Sequence, residues 1–400
     1  MYRHLSTRTY LLRKRKMPAT RSSHTAKASQ LAPSGGQTLR AVLPSVRDRL
    51  LAWYDANRRD LPWRAGAGEE PDPYRVWLSE VMLQQTRVET VRPYFQRWLR
   101  RFPTLDDLAD APLDDVLKQW EGLGYYSRAR NFHLAVREVR QAFGGRVPAD
   151  PQAFRALPGV GRYTAGAVMS IAFGREEPLV DGNVRRVFSR LTNEPSPSDQ
   201  ELWELATAVV AGSRPGDLNQ GMMELGATVC TPRAPRCGQC PVADVCQARA
   251  AGTQEERPAR KKPRAVPHED TAVAVIHHDG RVLLVRRPLD SRLGGMWAFP
   301  SAVRKRNESE SAGAERAALD VLGLTVQAGS PVGVVTHAFT HVRATYRAVR
   351  CTITGGKPRE LQCDGWAWVA PAEVDSYALP VAQKKIFALA AEPTLFAAAV

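Results

Sequence analysis

Cys230, Cys237, Cys240 and Cys246 fall within one short stretch, CTPRAPRCGQCPVADVC, with the spacing C-x6-C-x2-C-x5-C. Four thiolates separated by short loops can close around one compact cofactor, either a zinc ion or an iron–sulfur cube. Zinc sites commonly pair two C-x2-C units, whereas here a single C-x2-C is flanked by longer arms. The other two cysteines, Cys351 and Cys363, lie far downstream, so the set does not read as a disulfide framework, and a reducing compartment is implied. Arg233, Arg236 and Arg249 accompany the cluster in sequence. That company suits a structural site pinning a basic loop along a phosphate backbone better than a redox centre.

A second constellation is LPGVGRYTAG, Leu157–Gly166. Gly159 and Gly161 allow a tight turn and close backbone approach to a ligand. The helix that follows, YTAGAVMSIAF, would direct its first amides at an anion. The chain carries 56 Lys+Arg against 41 Asp+Glu, a net charge of +15, which draws polyanions. A DNA phosphate, gripped without regard to base sequence, is the simplest anion for such a turn.

These groups need a scaffold to position them. From Thr38 to about Ala250, apolar residues recur at spacings of three and four, as in VRDRLLAWYDANR, PYRVWLSEVMLQQTRVETV and ELWELATAVVAG. Gly, Pro and Asp punctuate them, so residues 38–250 are predicted to form many short packed helices. Residues 251–268 hold three prolines and a run of Lys and Arg, the composition of an exposed basic linker. In 269–390 the period changes: TAVAVIHH, RVLLVRR, PVGVVTHAF and RATYRAVRCTITG are short and β-branched, interrupted by one helix, AGAERAALDVLG. An α+β domain is predicted there, with residues 391–400 a tail. Residues 1–47 contain no Asp or Glu and ten Lys/Arg. Residues 1–37 read as a disordered basic arm, with Met17 a candidate true start; a transit peptide has similar composition, but organelle import is disfavoured. No apolar run reaches the length of a membrane span.

Taken together, RDLPWR (59–64), SEVMLQQTRV (79–88), GLGYYSRARN (122–131), LVDGNVRRV (179–187) and MELGATVCTP (223–232), with the glycine hairpin and the cysteine spacing, resemble the endonuclease III superfamily of helix–hairpin–helix DNA glycosylases. Within it the chain closely resembles the MutY-type adenine DNA glycosylases over roughly residues 40–390. The resemblance implies a multidomain fold: an all-α helix–hairpin–helix domain with a 4Fe–4S loop at 230–246, then an α+β Nudix-like domain. It also implies one 4Fe–4S cluster on the four cysteines, and a substrate of double-stranded DNA in which adenine stands opposite 8-oxoguanine or guanine. A monomer in the bacterial cytoplasm, associated with the nucleoid, is the expected setting.

Breaking a purine–deoxyribose bond leaves a poor leaving group and an oxocarbenium-like sugar, so two carboxyl groups suffice: one to protonate the base, one to face the cation. The target must first leave the stack. Glu80 lies in the predicted helix PYRVWLSEVMLQQTRV beside apolar Trp77, Val81 and Val88, where its pKa can rise. By resemblance it protonates adenine N7 and then helps to activate water. Asp181 could merely cap the following helix. The resemblance instead makes it the carboxylate facing the sugar, acting electrostatically or as a transient covalent partner, with Asn183 and Tyr163 positioning it. Superfamily members that cut the strand carry lysine where this chain has Tyr163; a phenol cannot form the Schiff base, so hydrolysis without efficient lyase activity is implied. Arg59, Trp63, Arg64 and Glu224 match residues around the extruded adenine. Of Gln84, Gln85 and Thr86, the second glutamine would wedge into the duplex and the threonine contact the opposite base. Tyr125 would stack beside that base.

RVLLVRRP, GGMWAFP and AERAALDVLGL resemble a Nudix domain of the MutT kind. A pyrophosphatase of that class needs a glutamate-dense helix to hold Mg²⁺, and in the corresponding RAALDVLGL (316–324) only Asp320 stands, so the domain is expected to bind rather than to cleave. HAFTHV (337–342) matches the loop that reads 8-oxoguanine, usually Phe-Ser-His, here Phe339, Thr340 and His341. Three other readings were open: a pyrimidine glycosylase with lyase activity, disfavoured by Tyr163; a non-catalytic iron–sulfur DNA-binding or electron-transfer protein, disfavoured by Glu80 and Asp181; and an active Nudix hydrolase, disfavoured by the missing carboxylates.

Overall fold

In a computed structural model of the chain, residues 35–66, 68–260 and 265–391 are described. The basic arm up to residue 34 and the tail from 392 lie outside the described residues.

Helices α1 (Gly35–Asn57), α2 (Pro73–Leu83), α3 (Val88–Arg101), α4 (Leu105–Asp110), α5 (Leu113–Trp120), α6 (Ser127–Phe143), α7 (Pro151–Ala156), α8 (Arg162–Phe173), α9 (Gly182–Leu191), α10 (Asp199–Val210), α11 (Pro215–Thr228) and the short α12 (Gln247–Ala250) form the helical part. Their starts are chemically marked. Asp72, Thr104, Asp150, Asp181 and Ser198 each accept backbone N–H groups at an N-terminus, which satisfies donors the helix cannot pair itself. The apolar faces build two cores. One gathers α2 to α7 around the fully buried Trp77, Trp98 and Trp120. The other joins α1 to α9, α10 and α11. Helix α8 separates them: Val168 and Met169 enter the first core and Ala167 the second.

One expectation changes here. The stretch 73–88, read from periodicity as a single helix, is broken after Leu83, and α3 begins only at Val88. Gln85 adopts the left-handed conformation (φ 57°), which cannot continue a right-handed helix. No Gly or Pro marks the break in sequence.

The C-terminal part holds β1 (His268–His278), β2 (Arg281–Arg286), β3 (Trp297–Ala298), β4 (Ser301–Val303), α13 (Glu310–Leu322), β5 (Thr325–Ala338), β6 (Arg343–Gly355), β7 (Trp366–Val369) and α14 (Val381–Ala391). The mixed sheet runs β3-β2-β1-β6-β5, with β4 on β1 and β7 on β2. Strand β1 pairs parallel with β6 (Ala272 opposite Arg347), and β5 pairs antiparallel with β6 (Val335 opposite Tyr346). Alternation along β1 covers both faces: Val273 and Val275 pack toward Ile386 and Phe387 of α14, while Ala274 and Ile276 pack toward Ala314 and Ala318 of α13.

The two parts are tied by polar contacts. The Glu121 carboxylate accepts from Leu379 N (2.9 Å) and pairs with Lys384 (2.8 Å). Lys118 Nζ donates to Tyr377 O (3.1 Å), and Arg130 Nη1 to Gly294 O (2.7 Å). Met296 belongs to the first helical core.

Candidate active site

A pocket of about 170 Å³ opens along the seam between the two helical cores. Glu80 of α2 and Asp181, the N-cap of α9, both line it, with Tyr163, Asn183, Arg59, Trp63, Arg64, Thr86 and Glu224. Residues from five separate sequence motifs therefore meet at one cavity, with Glu80 contributed from the first core and Asp181 and Glu224 from the second.

Glu80 is 5% exposed. The Tyr163 hydroxyl donates to its Oε2 at 2.7 Å. Burial pushes the Glu80 carboxyl up to about 7, Asp181 nearby pushes the same way, and the Tyr163 hydrogen bond and Arg64 only partly oppose them. Burial likewise raises the Tyr163 phenol well above its ordinary value, so it remains a donor. The sequence reading had Tyr163 position Asp181; its hydroxyl instead meets Glu80 and, at 3.4 Å, the Met223 sulfur.

Asp181 takes the β-region backbone of an N-cap and accepts from Val184 N (2.7 Å) and Asn183 Nδ2 (2.8 Å). It is thus a helix cap and a pocket residue at once. Burial raises its carboxyl, against those hydrogen bonds and the Arg186 charge. Behind it, Arg186 Nη2 donates to Asn183 Oδ1 (2.8 Å) and Gly226 O (2.8 Å).

Glu224 is 1% exposed and accepts from Arg59 Nε (2.5 Å) and Arg64 Nη2 (2.9 Å). Burial disfavours its charge, yet the hydrogen bonds and charges of the two arginines outweigh it and hold the carboxyl below its usual range. Arg64 is fixed further by Gln220 Oε1 (3.1 Å) and Arg59 O (2.8 Å). Trp63 serves two ends, packing edge-on to Phe95 in the core and lining the pocket.

Gly159 is left-handed (φ 74°), and a Cβ there would press on Asn131, so the turn requires glycine. Gly161, in contrast, is the extended N-cap of α8 with open space around it. Gln84 donates to Thr164 Oγ1 (3.2 Å), while Gln85 is exposed. A second cleft, about 730 Å³, lies between the two parts of the chain and brings Tyr125 together with Phe339, Thr340 and His341. The Tyr125 and Thr340 hydroxyls are hydrogen-bonded to each other. His337 stacks edge-on against Phe339 (4.5 Å between centroids).

The four loop cysteines are free and line one small cavity with Arg190 and Arg249. Arg190 Nη1 points at Cys230 Sγ (3.2 Å), a cation placed for thiolate charge.

Arg186, Arg190 and Gln220 were not picked out from the sequence. Arg186 and Arg190 are four residues apart on α9, a same-face spacing that follows from the helix Asp181 begins. Gln220 carried no such signal.

A helical fold with this hairpin, cysteine loop and pocket defines a helix–hairpin–helix DNA glycosylase: residues 78–211 match the HhH-GPD superfamily of base excision DNA repair proteins. Residues 230–246 match the iron–sulfur binding domain of endonuclease III, and 271–389 the NUDIX domain. The human adenine DNA glycosylase is 39% identical over 409 residues, covering 87% of this chain and 74% of that protein. That of Rattus norvegicus is 37% identical over 405 residues, covering 87% and 78%. Among solved structures, a thermostable thymine-DNA glycosylase is 30% identical and covers 54% of this chain and 99% of its own, with a TM-score of 0.49. The chain belongs to the adenine DNA glycosylase family. It is a DNA-binding base excision enzyme with one 4Fe–4S cluster in the 230–246 loop. No helix among the described residues is long and apolar enough to cross a membrane.

Proposed function

We propose that this chain hydrolyses the N-glycosidic bond of adenine paired with 8-oxoguanine or guanine in duplex DNA, without efficient strand cleavage. The observation that carries the reading is the presence in one pocket of Glu80, with a proton affinity matched to neutral pH, and of Asp181, the cap of α9. An adenine swung into this pocket meets the Glu80 carboxyl, which gives its proton to N7 as the C1′–N9 bond lengthens. Electron density leaves the sugar with the base, and Asp181, held in place by Val184 N and Asn183, faces the cation that forms. Water completes the exchange at C1′, and Glu80, now ionised, takes a proton from it. Tyr163 fixes the Glu80 rotamer through its hydroxyl. The ion-paired Arg59, Arg64 and Glu224 wall, with Trp63, would frame the extruded base. Bound in the 230–246 loop, the 4Fe–4S cluster supplies a rigid anchor for the surrounding basic residues.

We take residues 38–250 as the catalytic unit and 269–390 as the reader of the opposite base. Phe339, Thr340 and His341 face Tyr125 across the interdomain cleft, on the side where that base would lie. Gln85 would occupy the gap left in the duplex. The +15 charge suits work on DNA, which we take to be done by a monomer in the bacterial cytoplasm.

The test is incubation with duplexes bearing A:8-oxoG, A:G, T:G and thymine glycol, with and without alkali. Breaks at adenine that require alkali are expected. Direct nicking, or release of a pyrimidine, would overturn the reading.

A further inference from the structure

Gln85 (φ 57°) and Tyr125 (φ 48°), the two residues proposed to enter the duplex, are among the few non-glycine residues of the helical part in the left-handed conformation. Such backbone is disfavoured for side chains of this size and persists only where surroundings hold it. Gln85 sits in the turn between α2 and α3, and Tyr125 in the turn between α5 and α6. Separate turns in the chain, they share one neighbour, Arg128, in the first turn of α6.

The Arg128 guanidinium binds both. Its Nη1 donates to Val81 O (2.8 Å), Met82 O (3.0 Å) and Gln84 O (2.6 Å), carbonyls at the C-terminal end of α2 that the helix leaves unpaired. Its Nη2 donates to Gly124 O (3.1 Å), directly before Tyr125, and reaches Leu123 O and Thr86 Oγ1 (each 3.4 Å). The planar cation lies 5.2 Å from the Trp120 ring centre and 5.5 Å from that of Tyr125. Among the described residues no carboxylate forms an ion pair with it. A half-buried cation whose partners are carbonyls of two loops is spent on backbone geometry, and its flat fork cannot be copied by an ammonium.

We infer that Arg128 is a positioning residue that clamps the Gln85 turn and the Tyr125 turn in one fixed relation, so that the wedge and the stacking ring enter the duplex as a single preformed unit. The inference rests on the proposed entry of Gln85 and Tyr125 into DNA. It adds that their mutual placement is set before DNA arrives, by a side chain that touches neither the base nor the sugar. Preorganisation of this kind lowers the ordering cost of the encounter.

Arg128→Met keeps the apolar length and removes the donors; Arg128→Lys keeps the charge but offers a single nitrogen to two loops. Single-turnover adenine excision from an A:8-oxoG duplex is measured for each in the full-length, cluster-containing protein, and again in a Gln85→Ala/Tyr125→Ala background. Visible absorbance of the cluster reports folding. Expected is a loss of roughly tenfold or more for Arg128→Met, a smaller loss for Arg128→Lys, and, in the double-alanine background, a further change below about twofold. A 2-aminopurine beside the target adenine should brighten more slowly in Arg128→Met, marking the extrusion step. If Arg128→Met does not fold, the same cycle with Arg128→Lys carries the decision. Equal losses in both backgrounds, or none in either, would overturn the clamp while leaving the roles of Gln85 and Tyr125 standing. Normal excision by the double-alanine protein would overturn those roles and the clamp with them.

Discussion

Replacing Glu80 with glutamine should stabilise the protein while stopping its chemistry. The Glu80 carboxyl is carried from an ordinary 4.5 to about 7, chiefly by burial. At ~1.4 kcal/mol per pKa unit, holding Glu80 ionised in its site costs roughly 3 kcal/mol. The folded state binds this proton more tightly than the unfolded chain does. The Glu80 contribution to stability is therefore fully present below pH 4.5 and lost as pH rises through about 7. Glutamine has no such charge to bury, and its amide oxygen still accepts from the Tyr163 hydroxyl. Chemical and thermal denaturation of wild type and Glu80→Gln across about pH 5 to 8.5 should diverge with pH. At the alkaline end the variant should unfold roughly 5–10 °C higher, and at the acid end the two should nearly coincide. Adenine excision by the variant should be undetectable throughout. Equal or lower stability of the variant at alkaline pH would show that the charge costs nothing there, and the physical basis for Glu80 as an acid near neutrality would be gone.

Three further outcomes follow from the same geometry. Single-turnover excision should fall as pH rises through about 7, and Tyr163→Phe, which removes a hydrogen bond favouring the ionised carboxylate, should move that limb upward; quenched-flow rates against pH decide, and an unmoved limb would detach Tyr163 from Glu80. Asp181→Asn preserves a good N-cap, so denaturation should shift by no more than ~1 kcal/mol, while the rate drops by roughly 10²–10³ or more; a loss within about tenfold would reduce Asp181 to a cap. Glu224→Gln leaves Arg59 and Arg64 without their buried counter-ion and should cost roughly 3–5 kcal/mol in denaturant unfolding; a cost below about 1 kcal/mol would mean that the pair is not buried in the working protein.

What sequence made legible was largely what has a local signature. Short capped helices announce themselves by Asp, Thr or Ser before an apolar period, and the strands β1 (His268–His278) and β6 (Arg343–Gly355) by runs of β-branched residues. The cysteine spacing was legible because a metal cage needs ligands near one another in the chain. The break at Gln85 was not, because no Gly or Pro marks it and the Arg128 guanidinium that binds the Gln84 carbonyl beside it comes from α6, far along the chain. The Tyr163 hydroxyl meets Glu80 rather than Asp181, a choice between two facing carboxyls that residue types and motif spacing do not record. Short β3, β4 and β7 carry too few residues for a period to show. Burial of Glu80 was legible only as placement beside apolar neighbours; the closing wall comes from α8 and α11, far off in sequence.

The most direct test is the structure of Glu80→Gln bound to a duplex carrying A:8-oxoG. The adenine should be found out of the stack in the pocket between α2 and α9, with N7 ~3 Å from the residue-80 side chain and C1′ facing the Asp181 carboxylate. An adenine still stacked in the helix, or seated where residue 80 and Asp181 do not both face it, would contradict the assignment.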